Sequence, residues 1–150
     1  MGYKEHKKEA SQSASFAVLV VSDSRTKETD KSGKLIIEYL ENSGHCVPVY
    51  KIIKNDATEL ISELESLLQS KGLDVIITSG GTGISSRDIT ATTVTPLLQK
   101  KLDGFGELFR SLTYEEIGTP SIMSRALGGV AGGKVIFCLP GSTGAAKLAM

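Results

Sequence analysis

Val75-Ile76-Ile77-Thr78-Ser79-Gly80-Gly81-Thr82-Gly83 is the stretch that decides the fold, and a lone acid, Asp88, follows it closely. The apolar, β-branched start is typical of a buried strand. Glycines supply positive φ angles and let a ligand approach the main chain, while consecutive amides in such a turn can bind an anion. A carboxylate just beyond suits a divalent cation or a hydroxyl. The stretch therefore predicts a phosphate-binding loop at the mouth of a parallel sheet.

The rest of the chain alternates strands with helices. Buried strands are predicted at Phe16–Val21, Val47–Ile53 and Val135–Leu139. Helices are predicted from Ser32 to Gly44, Asp56 to Gly72, Thr93 to Leu102, Glu107 to Tyr114, and from Thr143 onward; Ile117–Gly133 shows no clear pattern. This alternation predicts an α/β fold with three layers (α/β/α), doubly wound around a mostly parallel sheet.

Length and charge limit the classes of function. At 150 residues the chain fits one domain, here residues 16–150, preceded by a disordered polar tail over residues 1–15. Lys plus Arg equal Asp plus Glu at 17 each, which argues against nucleic acid as a partner. No apolar run reaches the roughly 20 residues that span a bilayer, and the Lys-rich start is no secretory signal. We therefore expect a cytoplasmic protein without a membrane partner.

Cysteine and histidine usage gives no sign of a disulfide or zinc site. Only Cys46 and Cys138 are present, and His45 has no further ligands spaced to join it. We expect Cys138 in the core and Cys46 as a buried thiol beside a loop histidine.

Polar loops follow three of the predicted strands. They cover Ser22–Arg25, Ser79–Asp88 and Pro140–Thr143. Ligands of open α/β sheets bind beyond the carboxyl ends of the strands, so these loops should converge on one site.

Each candidate residue also has a structural alternative. Asp88 could cap a helix, although Thr90, Thr92 and Thr93 could do so instead. Asp56 begins a capping box with Glu59, and a loop carboxylate at a helix start can serve both purposes.

Three further segments stay open in the same way. Gly104-Phe105-Gly106-Glu107 reads equally as a loop with one buried aromatic or as a wall over a flat ligand. Pro140-Gly141-Ser142 is an ordinary turn or an anion site at a helix start. Ser124-Arg125 pairs with an internal carboxylate or binds substrate.

Together these motifs resemble those of the MogA/MoaB family of molybdenum cofactor biosynthesis proteins. The resemblance covers about Phe16 to Met150 and rests on the ordered set Ser22-Asp23-Ser24-Arg25, Thr78 to Gly83 with Asp88, Gly104 to Glu107, Ser124-Arg125 and Leu139 to Ser142. Pro140-Gly141-Ser142-Thr143 is closer to the MoaB branch.

The resemblance implies a molybdopterin-binding fold that forms homotrimers, or homohexamers of paired trimers. It implies an adenylyltransferase that uses Mg²⁺ and ATP to place AMP on the terminal phosphate of molybdopterin, with release of pyrophosphate. The product would then receive molybdate or tungstate in a later step by another protein.

The same resemblance assigns roles to residues. Asp56 and Asp88 match the family's two important acids, which implies catalysis and Mg²⁺ coordination. The substrate-binding positions it implies are Ser22, Asp23, Ser79, Gly80, Gly81, Thr82, Gly83, Gly104, Phe105, Gly106, Glu107, Ser124, Arg125, Pro140, Gly141, Ser142 and Thr143.

Two departures from the family pattern keep a second function open. A further acid that often follows the position of Asp88 is missing, since Ala91 and Thr92 stand there, and the C-terminal helix is expected to be longer than Met150 allows. The alternative is a non-catalytic molybdopterin-binding carrier or scaffold. A flavodoxin-like FMN protein also suits the topology, but 5% aromatic residues disfavour it.

Overall fold

One six-stranded sheet organises the computed structural model, which describes residues 2–10 and 12–150. Its strands are β1 (Ser15–Val21), β2 (Cys46–Ile53), β3 (Val75–Ser79), β4 (Lys100–Lys101), β5 (Leu127–Ala131) and β6 (Lys134–Leu139). The helices are α1 (Tyr3–Glu9), α2 (Ser32–Asn42), α3 (Ala57–Gln69), α4 (Thr90–Val94), α5 (Asp103–Ile117) and α6 (Thr143–Ala149). Two short 3₁₀ helices cover Thr95–Leu97 and Thr119–Met123.

The strands lie in the order β2-β1-β3-β6-β5-β4. The first four are parallel, while β5 and β4 extend the sheet in antiparallel fashion beyond β6. Apolar clusters cover both faces, one including α3 and α4 and the other α2 and α6. The predicted three-layer, mostly parallel α/β fold is therefore confirmed.

The central strands are buried on both faces, which explains their continuous apolar runs. Ala17, Val18 and Leu19 of β1 have no exposed surface, and Ile76 of β3 has none either. Because parallel strands are covered by helices on both sides, alternation of polar and apolar residues is absent there.

The predicted helix over Thr93–Leu102 is wrong. The helix α4 begins earlier, at Thr90, passes into the Thr95–Leu97 3₁₀ turn, and gives way to the edge strand β4. The amides of Gln99 and Leu102 donate to β5 carbonyls at 2.8 Å, so sheet pairing replaces the helix there.

The other helix predicted in this region is confirmed but longer, because α5 extends from Asp103 to Ile117. The unassigned stretch that follows contains the Thr119–Met123 3₁₀ helix and β5.

The N-terminal region also differs from the prediction. The structure has a short helix, Tyr3–Glu9, where a disordered tail is expected, and Ser15 already belongs to β1. The Glu5 carboxylate accepts the Gly2 amide at 2.8 Å, which favours this helix start. Met1 and Ser11, which the tail prediction also includes, lie outside the described residues.

The two cysteines have different surroundings. Cys138 lies in the core, as predicted, and burial raises the pKa of its thiol to about 12. Cys46 is exposed at the start of β2, so the predicted buried thiol is wrong at that position.

Candidate functional site at the carboxyl edge of the sheet

The loops after β1, β3 and β6 meet at one edge of the sheet. The Gly80 amide donates to the Leu139 carbonyl at 2.9 Å, and Ser79 Oγ donates to the Pro140 carbonyl at 3.5 Å. A Cβ on Gly141 would lie 3.2 Å from the Gly80 Cα. The predicted convergence of the polar loops is therefore present in the fold.

Gly80 and Gly81 are the glycines that this turn requires. Their φ angles are 111° and 69°, in the region that disfavours other residues. A Cβ on Gly80 would lie 2.3 Å from the Val21 carbonyl oxygen, and one on Gly81 would lie 2.3 Å from Thr90 Oγ1. The loop is thus packed against β1 on one side and the start of α4 on the other.

Thr90 closes the Gly-rich loop from the far end. Its Oγ1 donates to the Gly80 carbonyl at 2.8 Å and its amide donates to the Gly81 carbonyl at 2.9 Å. Thr82 is also buried within the loop. The main chain from Gly80 to Thr82 is consequently fixed before any ligand arrives.

Asp88 is held against the Gly-rich loop as an anion. Its Oδ2 accepts the Ser85 hydroxyl at 2.7 Å and the Ser85 amide at 2.9 Å. The Ser85 hydroxyl lowers the pKa of Asp88 most, with smaller contributions from the amides of Ser85 and Gly83 and from the charge of Arg125. A Cβ on Gly83 would lie 2.7 Å from Oδ2, so a glycine is needed for this approach.

Asp56 is the N-cap of α3 and is exposed. Its Oδ1 accepts the Glu59 amide at 2.9 Å, as the capping box predicts. A full capping box would also have the Glu59 carboxylate accept the Asp56 amide, but here it accepts the Lys54 amide at 3.2 Å. The cap uses Oδ1, which leaves Oδ2 for another ligand.

Asn55 and Asp23 link the two acid-bearing segments. The Asn55 side-chain amide donates to the carbonyl of Arg87, so the residue before Asp56 is bonded to the residue before Asp88. The Asp23 carboxylate accepts the backbone amide of Asn55 at 3.0 Å and faces Arg87 Nη2 at 3.4 Å. Three segments that are distant in sequence are therefore connected beside both carboxylates.

A cavity of about 440 Å³ lies beside Asp88. It is lined by Ala57 at the start of α3, by the loop residues Ile84 to Ser86 with Asp88, and by Ile89, Thr92, Thr93 and Arg125. The first turn of α3, which Asp56 caps, thus shares this space with Asp88. The cavity volume is within the range of small-molecule sites.

Arg125 resolves one of the alternatives left open by the sequence. Its Nε donates to the Gly83 carbonyl and its Nη2 to the Asp88 carbonyl, both at 2.7 Å, while Nη1 donates to Thr92 Oγ1 at 3.0 Å. Within the part of the chain that the structure describes, it forms no ion pair with a carboxylate; it fixes the Gly83–Asp88 loop through main-chain carbonyls. Its neighbour Ser124 is half-buried, and its Oγ accepts the Ala126 amide at 3.4 Å.

The Gly104–Glu107 segment is not a loop. It forms the first turn of α5, with Gly104 and Glu107 exposed and Gly106 packed against Arg110 and the Ala126 carbonyl. Phe105 contacts Phe137 with ring centroids 4.8 Å apart and lines an apolar cavity on the α2 and α6 face of the sheet. Its place in α5 and its packing put it in the apolar layer rather than in the three converging loops.

The remaining predicted residues lie in the loops after β1 and β6. Ser22 Oγ accepts the amides of Ser24 and Arg25 at 3.3 and 3.2 Å. Ser142 is the N-cap of α6, and its Oγ accepts the Ala145 amide at 3.1 Å, beside the exposed Thr143. These hydroxyls therefore shape the turns that carry them.

Comparisons with known proteins agree with this architecture. Residues 17–150 match the family model described as "Probable molybdopterin binding domain". The chain belongs to the MogA/MoaB family of molybdenum cofactor biosynthesis proteins.

Individual relatives are similar over nearly the whole chain. Molybdenum cofactor biosynthesis protein B of Bacillus subtilis is 47% identical over 151 residues, covering 100% of this chain and 89% of the relative. A Pyrococcus furiosus protein named molybdopterin adenylyltransferase is 46% identical over 153 residues, covering 98% and 89%. A crystal structure of a molybdenum cofactor biosynthesis protein B superimposes with a TM-score of 0.90 at 45% identity, covering 95% and 89%.

The carboxylates of this MogA/MoaB family member suit Mg²⁺ in chemistry and in number. Mg²⁺ is usually bound through one or two carboxylates together with substrate phosphates. Asp88 is ionised and Asp56 is exposed, and each keeps oxygen lone pairs that the described hydrogen bonds do not use. Over residues 2–10 and 12–150, no group of three or more His, Cys, Asp or Glu side chains converges on a metal site.

Sequence reasoning missed a buried polar cluster beside the site of this family member. Asp30, Ser32 and Tyr50 join Arg25 in hydrogen bonds near Ser79. Ser32, predicted as the cap of α2, makes no capping bond; Asp30 instead accepts the Gly33 amide at 3.3 Å. Asp30 lies in a charged stretch, and only its contact with β2 reveals its burial.

Across residues 2–10 and 12–150, every helix is too short or too polar to span a bilayer.

Proposed function

We propose that this protein acts in molybdenum cofactor biosynthesis as a molybdopterin adenylyltransferase. The observation that carries the proposal is the linkage of Asp56 and Asp88, through Asn55 and Arg87, beside a preorganised Gly-rich loop. The relative named molybdopterin adenylyltransferase, 46% identical across almost the whole chain, supports the same activity.

The reaction joins a phosphate of molybdopterin to the α-phosphorus of ATP. A pterin phosphate oxygen forms the new P–O bond while the bond to the bridging oxygen between the α- and β-phosphorus breaks, and that oxygen leaves with pyrophosphate. The attacking phosphate is already an anion, so no strong general base is needed. Positioning and charge neutralisation supply most of the catalysis.

The residues divide this work by position. The segments Ser79 to Gly83 and Pro140 to Thr143 bind the pterin and phosphates through backbone amides and side-chain hydroxyls. Asp88 and Asp56 would hold Mg²⁺, which would neutralise phosphate charge and align the triphosphate. Asp23 connects the two acid-bearing segments through the Asn55 amide and the Arg87 side chain, and Arg125 fixes the Asp88 loop through its carbonyls.

A non-catalytic carrier is the second candidate function. Thr92 stands where a further acid is expected and accepts Arg125 Nη1 at 3.0 Å, so that position is used for loop structure. A carrier would bind molybdopterin without any need for Mg²⁺ or ATP.

We further propose that the protein works in the cytoplasm as a homotrimer or homohexamer and passes its product to a metal-insertion protein. Self-association is supported by apolar side chains exposed on α5 and on the 3₁₀ helix packed against it. Leu108 is 62% exposed and Ile122 is 79% exposed. Patches of this kind on soluble proteins mark interaction surfaces.

The decisive experiment mixes protein, molybdopterin and Mg²⁺-ATP, and measures adenylylated pterin and pyrophosphate. Asp88→Asn and Asp56→Asn should lower turnover at least about a hundredfold, since each removes a negative charge from the metal site. Asp103→Asn, at the exposed start of α5, is the matched control and should retain activity. Tight molybdopterin binding with no turnover, unchanged in Asp88→Asn, would refute the enzyme and leave the carrier.

A further inference from the structure

Within residues 2–10 and 12–150, one nitrogen of the Arg25 guanidinium group makes all of its hydrogen bonds. Nη1 donates to Ser32 Oγ at 2.7 Å and faces Asp30 Oδ1 at 3.4 Å. Among the residues that the structure describes, Nε and Nη2 have no hydrogen-bond partner, and 35% of the side chain is exposed. Two donor-bearing nitrogens of a permanent cation therefore remain for a ligand that enters from solvent.

The anchor for Arg25 is rigid. The Asp30 side chain has no exposed surface, and it accepts Tyr50 Oη at 2.7 Å, Ser32 Oγ at 3.3 Å and the Gly33 amide at 3.3 Å. A Cβ on Gly33 would lie 2.3 Å from Asp30 Oδ2. A buried carboxylate is costly unless it is paired and fully hydrogen-bonded, and these contacts meet that condition. The position of Nη1 is therefore set by the fold.

Arg25 is also connected, through Ser32, to the converging loops. Ser32 Oγ, which accepts Nη1, lies 3.4 Å from Ser79 Oγ, and Ser79 Oγ reaches the Pro140 carbonyl. The Arg25 amide donates to Ser22 Oγ at 3.2 Å. Two hydrogen bonds thus separate the guanidinium from the end of β3.

Two lysines lie close to residues that neighbour Arg25. Lys27 Nζ lies 5.6 Å from the centre of the Tyr50 ring, and Lys54 Nζ lies 3.5 Å from the Asp23 carbonyl. The nearby Asp23 carboxylate is already engaged by Arg87 and the Asn55 amide. A phosphate matches the fork of a guanidinium and can accept from two of its nitrogens at once.

We propose that Arg25 binds a phosphate group of the ligand through Nε and Nη2, while Asp30 and Ser32 hold its Nη1. This inference rests on the proposed function for the identity of the ligand but not for the site itself. The competing interpretation is that Arg25 only neutralises Asp30, which predicts a loss of stability with no change in anion affinity.

Binding is measured by calorimetry at constant ionic strength on the full chain, with Mg²⁺-ATP, inorganic pyrophosphate and inorganic phosphate as probes. We expect Arg25→Gln to lower the affinity for at least one probe by about tenfold or more, because a charge-assisted hydrogen-bonded pair is lost. Arg25→Lys should recover part of the affinity. Arg110→Gln is the matched control, since Arg110 is likewise held through Nη1, in its case by the carbonyls of Ser124 and Ala126, and its affinity for each probe should stay within about twofold of wild type.

The probes separate two sources of the phosphate. If Arg25→Gln loses affinity only for Mg²⁺-ATP and pyrophosphate, Arg25 binds a phosphate of the nucleotide. If it loses affinity for inorganic phosphate and also binds molybdopterin more weakly, Arg25 binds the phosphate of the pterin. Wild-type affinity of folded Arg25→Gln for all three probes overturns the proposal, as does a wild-type protein that binds none of them.

A second measurement avoids variants that fail to fold. Phenylglyoxal modifies exposed arginines of the wild-type protein, and peptide mapping follows each site. Pyrophosphate should slow the labelling of Arg25 by about fivefold or more and leave Arg110 unchanged, as expected for a ligand-covered guanidinium. Equal labelling of Arg25 with and without all probes overturns the proposal.

The two proposals fail separately. Arg25-dependent pyrophosphate binding without adenylyl transfer refutes the proposed enzyme and keeps the anion site. Normal adenylyl transfer by Arg25→Gln, with unchanged KM values for both substrates, refutes the anion site alone.

Discussion

The Asp23 carboxylate accepts the backbone amide of Asn55 at 3.0 Å and thereby connects the loop after β1 to the segment that carries Asp56. Its other oxygen faces Arg87 Nη2 at 3.4 Å, one residue before Asp88. Asp23 was predicted to bind substrate; its position gives it a second task, which is to fix the spacing of the two acids.

Asp23→Ala should therefore reduce catalysis more than stability. We expect adenylyl transfer to fall by about tenfold or more because Asp56 and Asp88 lose a common support, while the exposed ion pair contributes at most about 1 kcal/mol to the free energy of unfolding. Asp23→Asn keeps an oxygen that accepts the Asn55 backbone amide, so its rate of adenylyl transfer should lie between those of wild type and Asp23→Ala. Enzyme kinetics and urea unfolding would check this, and a variant with full activity would contradict it.

The charge of Asp88 should stabilise the fold in a pH-dependent way. Its pKa lies below the ordinary value of 3.8, chiefly because of the Ser85 hydroxyl. The stabilisation is fully present above the pKa of the unfolded chain, and it is lost as pH falls through the lower pKa of the folded state. Asp88→Asn should cost about 1 kcal/mol at pH 7, and the difference from wild type should narrow below about pH 4.

Urea unfolding at several pH values measures this difference. Ser85→Ala is the matched variant, since it removes the main cause of the pKa shift and should show the same trend. A difference in the free energy of unfolding between wild type and Asp88→Asn that grows as the pH falls would contradict this prediction.

Tyr50→Phe should destabilise the protein through Asp30. The Tyr50 hydroxyl donates to Asp30 Oδ2 at 2.7 Å, and its removal leaves a buried carboxylate oxygen short of a donor. We expect a loss of about 1–3 kcal/mol in the free energy of unfolding. Tyr39→Phe is the control, since the Tyr39 hydroxyl makes no hydrogen bond within the described residues. A similar loss of unfolding free energy in Tyr39→Phe would show that the Tyr50–Asp30 hydrogen bond is not the cause.

Gly80→Ala should destabilise the Gly-rich loop by more than about 2 kcal/mol. The substitution places a Cβ 2.3 Å from the Val21 carbonyl oxygen at a φ of 111°. Gly144→Ala in α6 meets nothing within 4 Å and should raise stability by up to about 1 kcal/mol. Thermal unfolding of both variants tests whether the backbone conformation and the free space at each glycine, rather than the loss of a glycine as such, decide the change in stability.

The exposed apolar side chains of α5 and of the 3₁₀ helix Thr119–Met123 should determine the proposed oligomeric state. Leu108→Glu and Ile122→Glu each place a charge where contact between copies would bury it, so we expect a shift from trimer or hexamer towards monomer. Light scattering coupled to gel filtration gives the mass directly. Lys71→Glu, after α3, is a control at an exposed position, and unchanged masses for both apolar variants would place the interface elsewhere.

Local patterns were sufficient for the central strands, for α2 and α3, and for the Asp56 cap. Each depends on neighbours close in sequence or on a continuous apolar run. The Thr93–Leu102 prediction failed because β4 exists only through its pairing with β5, about thirty residues further along the chain. The Gly104–Glu107 segment was uncertain for a related reason, since its two glycines disfavour a helix that packing against β5 and β6 stabilises.

The sequence by itself determined the α/β class, the parallel strands and the position of the Gly-rich loop, because strand burial and turn geometry are written in local residue types. The residue pattern also singled out Asp88, and the family resemblance implied the roles of Asp56 and Asp88. Only the tertiary structure decided that Asp23 and Asn55 connect those acids, that Arg125 binds carbonyls, and that Asp30 is a buried anchor for Arg25. Such contacts join residues far apart in the chain, and their energy depends on burial and distance, which no local pattern specifies.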